Sequence, residues 1–441
     1  MVRTGREDEP TRDGGGDDVP GAAGAGTHEG VSSQVELLRN AVRPYAWGSR
    51  TTIAELLGRP VPTPHPEAEL WMGAHPGDPS HVVDSAGTSY SLLARIEADP
   101  TGQLGAATAA RWGNRLPFLL KVLAVEEPLS IQAHPSAAQA ASGYAVEEAA
   151  GIHRDAANRN YPDPTAKPEL VCALTEFHAL AGFRDPHRTI ELLESLRTPG
   201  LSPHIDLLVG QPNPDGLRAL FTTWITLPQP ALDRLLPDLL DACVAHVKAR
   251  GAFTRECRTV LELGESYPGD AGVLAALLLN RLVLQPGEAI YLPAGNLHAY
   301  LHGTGVEILA NSDNILRGGL TPKHVDVPEL LRVLDFGCGD MPVSTGDQTG
   351  RLRTYRTEAP EFELSRIEWA DGESDEVPLP RARPLILVCT EGSVTVDGVP
   401  LRRGQSVWVP ASDPDLSVHA DGRAQVFVAT VGAEAPAHDT L

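Results

Sequence analysis

Residues 287–294 read GEAIYLPA, and residues 404–411 read GQSVWVPA. In both, a glycine opens the phrase, a short β-compatible run follows, and a proline closes it six residues after the glycine. A glycine turn, a short strand and a proline-led corner, occurring twice, imply two copies of one β-barrel or jelly-roll unit. The copies diverge five residues after the proline, where the first has His298 and the second Asp415. Chemistry is therefore expected in the first barrel, and a structural role in the second.

The fold expected is mainly β with a helical insertion: two β-barrels plus an α-helical domain. Residues 1–33 are rich in Gly, Asp and Glu and nearly devoid of large apolar side chains, which predicts a disordered acidic tail. Residues 34–184 are mostly strand-like, with turn signals such as HPGDP and SAGTS, and form the first part of the first barrel. The character changes at Asp185-Pro186, an N-cap followed by proline at the first helical position. Leu217, Leu220, Phe221 and Trp224 then recur at helical spacing, as do Leu232, Leu235, Leu236, Leu239, Cys243 and Val247, with Pro237 expected to bend or restart that helix. This helical domain runs over residues 185–280. Residues 281–345 return to the first barrel, and residues 346–441 form the second, without a metal site.

The formal net charge of −22 opposes binding to nucleic acid or an anionic membrane. No apolar run approaches the ~18 residues of a membrane span, and the N-terminus lacks the apolar core of a signal peptide. The five cysteines are widely spaced, which suits reduced core thiols in a cytoplasmic protein. Only four of the 36 basic residues are lysines: Lys121, Lys167, Lys248 and Lys323. Where arginine is the habitual cation, a lysine marks a place for a compact, strongly hydrated ammonium.

Three distant segments place polar residues beside strands. SIQAHP carries Gln132 and His134, TAKPEL carries Lys167 and Glu169, and PAGNLHAY carries His298. Residues two apart on a strand share a face, so Gln132 and His134 both emerge from the apolar run LPFLLKVLAV on one side. Burying two such groups unsatisfied costs roughly 1–3 kcal/mol each. An amide oxygen, two imidazoles and a carboxylate make a shell for a divalent cation, zinc first among the candidates. Lys121, Lys167 and Lys323 lie in or beside these segments.

The phrases YAWG, ELWMGAHP, FLLKVLAVEEPLSIQAHP, KPEL and LPAGNLHAYLHGTGVEILANSDNILRGGLTPKHVD resemble the type I phosphomannose isomerase family, over residues 36–185 and 280–345. The resemblance implies cupin barrels and a zinc-dependent enzyme interconverting mannose 6-phosphate and fructose 6-phosphate, one zinc per chain. It places the metal ligands on Gln132, His134, Glu169 and His298 and the active-site arginine on Arg317. Pocket and phosphate residues fall on Lys121, Ser130, Lys167, Glu307 and Lys323. Two departures stand out: Ala166 replaces a histidine before KPE, and Ser136-Ala137 follow His134-Pro135 where the family has Asp-Lys.

Aldose–ketose isomerisation needs a base to move a proton between C1 and C2, and charge stabilisation for the enediolate. Glu307 is the favoured base, raised toward neutral pH by burial, with a metal-bound water as its rival. Arg317 holds the developing oxyanion. Lys167 joins the catalytic set, while Lys121, Ser130 and Lys323 are assigned to phosphate, although spacing does not decide which lysine meets which group. His75 and His302 read as structural, and Trp47 and Trp71 as core or pocket wall. The rivals are an Fe(II) cupin oxygenase, a non-catalytic sugar-phosphate-binding cupin and an isomerase of shifted aldose preference. The partner is a phosphorylated hexose; oligomeric state is left open, a monomer included.

Overall fold

The structure is a computed structural model that describes residues 35–83, 87–379, 382–413 and 416–433. The acidic tail expected at the N-terminus and Asp415 lie outside the described residues.

The spine of the first barrel is the strand His298–Ala310, which pairs along its length with four other strands. Toward its C-terminal end it lies antiparallel between Phe118–Val125 and Glu169–Ala173, with Glu307 opposite Lys121 and Leu309 opposite Glu169. At its start, His298 sits opposite Gln132 on Ile131–Ala133 and opposite Ala181 on Phe177–Phe183. Gln132 in turn faces Arg317 on Leu316–Gly319. A register shift between Tyr300 and His302 separates the two ends.

The run FLLKVLAV is buried along its whole length because both faces of its strand are covered. Phe118, Leu120, Val122 and Ala124 point away from the barrel interior into a core shared with Tyr355, Leu364, Ile386, Trp408 and Phe427 of the C-terminal sheet. The alternate residues, Lys121 among them, face inward. The strand thus carries a buried lysine without exposing its apolar side.

The duplicated phrases have the same local form. Gly287 and Gly404 both take positive φ, +87° and +81°, in turns leading into the strands Ala289–Leu292 and Ser406–Val409. Only glycine adopts such angles without strain. Mainly β architecture with cupin relatives is borne out, and helices are more widespread than the sequence reading allowed. Within residues 34–184, read as mostly strand, lie Leu92–Ala98, Ala106–Trp112 and Ala137–Ala149. The last begins with a capping box, in which Ser136 accepts the Gln139 N–H and the Gln139 side chain accepts the Ser136 N–H at 2.9 Å. The short strand Glu36–Arg39, close in sequence to the first barrel, pairs instead with Ser406–Val409 and His81–Val83.

In the helical block, Asp185 caps Pro186–Ser195 by accepting the amides of His187 and Arg188. Gln229–Ala249 is one continuous helix through Pro237, not a restarted one. Leu232, Leu235, Leu236 and Leu239 flank the proline and are buried, so packing compensates the hydrogen bond that proline cannot make. Cys338 is exposed, against the expectation of core thiols, whereas the other four cysteines are buried. Among the described residues no helix is long and apolar enough to cross a membrane.

Candidate active site

A cavity of about 380 Å³ opens on the inner face of the first barrel, within the ~300–1,000 Å³ usual for small-ligand sites. Its floor is laid by register: Trp71 lies opposite Lys121, and Lys121 opposite Glu307, across three adjacent strands.

At one end His134, Glu169 and His298 converge, with one ligand-type atom from each within 4.8 Å of the others. His134 Nδ1 donates to the Asn314 carbonyl at 2.7 Å, and His298 Nδ1 donates to the Asn296 carbonyl at 3.0 Å. A carbonyl only accepts, so in the neutral tautomer each ring proton sits on Nδ1 and leaves an Nε2 lone pair for a ligand. Burial, with Lys167 nearby, pushes the His134 imidazole down to about 4, which keeps it neutral. Both Nε2 atoms aim at Glu169: His134 at 3.3 Å from Oε1 and His298 at 3.3 Å from Oε2. Burial opposes the charge on Glu169, but Lys167 holds its carboxyl well below the usual range. The two Nε2 atoms and Glu169 Oε2 are buried without a hydrogen-bond partner. Three lone-pair donors turned toward one point repel one another and cost roughly 1–3 kcal/mol each in lost hydrogen bonding. A cation between them removes both penalties, so these residues fit zinc.

Beyond the triad lies a second charged group. Lys121 Nζ is 3.2 Å from Glu307 and 3.7 Å from Glu69, and stands over the Trp71 ring. Burial works against its charge, yet Glu69 and Glu307 hold it above the ordinary lysine value. Glu307 is raised by burial, partly offset by Lys121, as the sequence reading anticipated. Tyr300 donates to its other oxygen at 2.9 Å, and Trp71 Nε1 donates to Glu69. Lys121 is thus matched by two acids.

Arg317 and Lys323 are in a different situation. Both line the cavity, and among the described residues neither has an ion-pair partner. Burial lowers both below their usual values, and Arg317 lowers Lys323 further. Two neighbouring cations without an ion-pair partner among the described residues have the charge to receive an anion.

Ser130, Gln132 and Lys167 also line the cavity, Lys167 bound to Glu169 at 3.0 Å. All ten residues singled out from sequence are therefore at or beside this cavity. Trp47 and Trp71 form part of its wall, and so does His75, whose Nε2 is 3.3 Å from Asp313. Ala166 contributes no imidazole. Sequence reasoning missed Glu69, Tyr300, Tyr267 and Asp313. Tyr300 is two residues after His298, so the face-sharing argument already used for Gln132 and His134 would have found it.

Residues 35–186 match the family Phosphomannose isomerase type I, catalytic domain. The chain is 38% identical over 395 residues to mannose-6-phosphate isomerase of Escherichia coli (strain K12), covering 88% of this chain and 98% of that one. It is 31% identical over 412 residues to mannose-6-phosphate isomerase of Homo sapiens, covering 85% and 92%. Among solved structures, zinc-bound mannose 6-phosphate isomerase superposes with a TM-score of 0.81 at 35% identity, covering 90% of this chain and all of that one. A variant of phosphomannose isomerase from Salmonella typhimurium gives 0.82 at 35% identity, with the same coverage.

Proposed function

The chain belongs to the type I phosphomannose isomerase family, and from that premise we propose how its own residues interconvert mannose 6-phosphate and fructose 6-phosphate with one zinc ion. The observation that carries the reading is the convergence of two proton-free imidazole nitrogens and a carboxylate, all buried, beside a cavity of hexose-phosphate size.

Gln132, His134, Glu169 and His298 would hold the ion, Gln132 being the neighbour directly opposite His298. Zinc, when bound, supplies Lewis-acid polarisation of the substrate's carbonyl and adjacent hydroxyl. Three of the four donors are neutral, so the chain leaves positive charge facing the reacting oxygens.

Glu307 is the base. Its carboxylate takes the C2 proton of the open-chain aldose and returns it at C1, while a proton passes from O2 to O1, giving the isomeric ketose. Tyr300 and Lys121 each hold one of its oxygens, which fixes its orientation. Lys121, already committed to Glu69 and Glu307, is assigned here to the reacting oxygens rather than to phosphate. Arg317, opposite Gln132 in register, stabilises the enediolate charge, joined by Lys167 beside Glu169. The phosphate lies at the Lys323 end of the cavity, with Ser130 as a hydrogen-bond donor.

The barrel of residues 34–184 and 281–345 houses the site, the block of residues 185–280 flanks it, and residues 346–441 support its outer face. A phosphorylated substrate and five free thiols fit a reducing, cytoplasmic setting. A coupled assay on mannose 6-phosphate, with metal analysis of the same sample, tests the reading: turnover must track bound zinc.

A further inference from the structure

The helical block reaches into the site through one short turn, residues 267–272, with the sequence YPGDAG. Its first residue, Tyr267, lines the cavity and donates to the Pro128 carbonyl at 2.7 Å, just upstream of Ser130 and Gln132. Its fourth, Asp270, grips the opposite edge. Asp270 Oδ1 accepts the Leu320 amide at 2.9 Å and the Gly272 amide at 2.7 Å, and Oδ2 accepts the Thr321 amide at 3.1 Å. The bonds to Leu320 and Thr321 are charge-assisted bonds to consecutive amides of the arm that leads from Arg317 to Lys323.

The arm is shaped to receive this carboxylate. Leu320 takes φ +54°, an uncommon angle for a side-chain-bearing residue, and its side chain is buried in the helical core. Gly319, at φ +123°, lies so close to the block that an added Cβ would sit 2.7 Å from Gly272 Cα. A Cβ on Gly272 would sit 2.6 Å from the Leu320 nitrogen. Thr321 passes the constraint on, its hydroxyl accepting the Lys323 amide at 3.1 Å. The far end of this chain of contacts is Lys323, a cavity-lining cation without an ion-pair partner among the described residues.

We propose that Asp270 is a positioning residue: by holding the amides of Leu320 and Thr321 it fixes the arm that aims Lys323, beside Arg317, at the substrate's phosphate. The helical block is in this account the part of the chain that sets phosphate recognition. The inference rests on the assignment of Lys323 to phosphate, and the test separates the two.

The experiment uses the zinc-loaded full chain. Asp270→Asn keeps the shape but turns one acceptor into a donor, so all three amides can no longer be satisfied. KM for mannose 6-phosphate is expected to rise about tenfold, the loss of one charge-assisted bond. Inhibition by inorganic phosphate should weaken by a similar factor, with kcat and zinc content little changed. Lys323→Met alone should raise KM, and the double variant should be no worse than Lys323→Met, because an arm without its cation has nothing to aim. Thr321→Val, which removes the acceptor from the Lys323 amide, should shift KM the same way and serves if Asp270→Asn fails to fold. If Lys323→Met raises KM while Asp270→Asn and Thr321→Val leave KM and phosphate inhibition unchanged, Asp270 is not a positioning residue. Additive effects in the double variant also overturn the inference. If Lys323→Met leaves KM unchanged, the phosphate assignment itself fails, and the inference with it.

Discussion

Tyr300 donates a hydrogen bond to Glu307, seven residues further along the same strand. On a regular strand an odd separation puts two side chains on opposite faces. Here both meet in the cavity because the register shift between Tyr300 and His302 inserts one residue and reverses the alternation. The irregularity lets one strand supply the proposed metal ligand, His298, at its start and the proposed base, Glu307, beyond its middle.

Gly303 lies just past that shift with φ +120°, and a Cβ there would lie 2.6 Å from the Glu176 carbonyl oxygen. Gly303→Ala is expected to destabilise the chain by roughly 1–3 kcal/mol and to lower kcat through displacement of Glu307. Denaturant unfolding monitored beside kcat checks this; an unchanged midpoint would refute the role given to the bulge.

Glu307→Gln should cut kcat by about 10² or more, as expected for loss of a general base, while retaining zinc. The pH profile gives a sharper reading. A base works ionised, and burial raises Glu307 above the ordinary carboxylate value, opposed by Lys121 and reinforced by Glu169 and Glu69. Activity should therefore increase with pH through an acid limb lying above 4.5, and that limb should vanish in Glu307→Gln. A limb that survives the substitution assigns the base elsewhere.

Lys121 and Lys323 should separate kinetically. Lys121→Met leaves Glu69 and Glu307 facing each other without their shared cation, so kcat should fall with KM changed by no more than about threefold. Lys323→Met should do the reverse. Identical patterns in the two variants would contradict the division of labour argued from the ion pairs of Lys121 and their absence at Lys323 among the described residues.

The His134, Glu169 and His298 cluster was legible in the sequence because each residue sits in a short polar phrase at the edge of a strand, SIQAHP, TAKPEL and PAGNLHAY. The Asp185 cap and the stripe from Leu217 to Trp224 were legible for the same reason: the signal lies within one turn or two. Glu69 was not, since its role comes from Lys121, 52 positions away along the chain but on the adjacent, paired strand. Asp270 and Tyr267 were hidden more deeply, as their partners at Leu320, Thr321 and Pro128 are set by how the helical block docks. The helices within the first block are short, and the one clear marker, the Ser136–Gln139 capping box, sits beside a strand motif that drew the reading toward β. The pairing of Glu36–Arg39 with Ser406–Val409 is a long-range closure that no local pattern encodes.

The most direct test is zinc per chain, measured by elemental analysis together with turnover of mannose 6-phosphate, for the natural sequence and for His298→Ala. The account predicts about one zinc per natural chain and, in the folded variant, loss of both metal and activity, because the Nε2 lone pair opposite Glu169 is gone. A folded His298→Ala chain that turns over substrate at the natural rate without bound metal would contradict it.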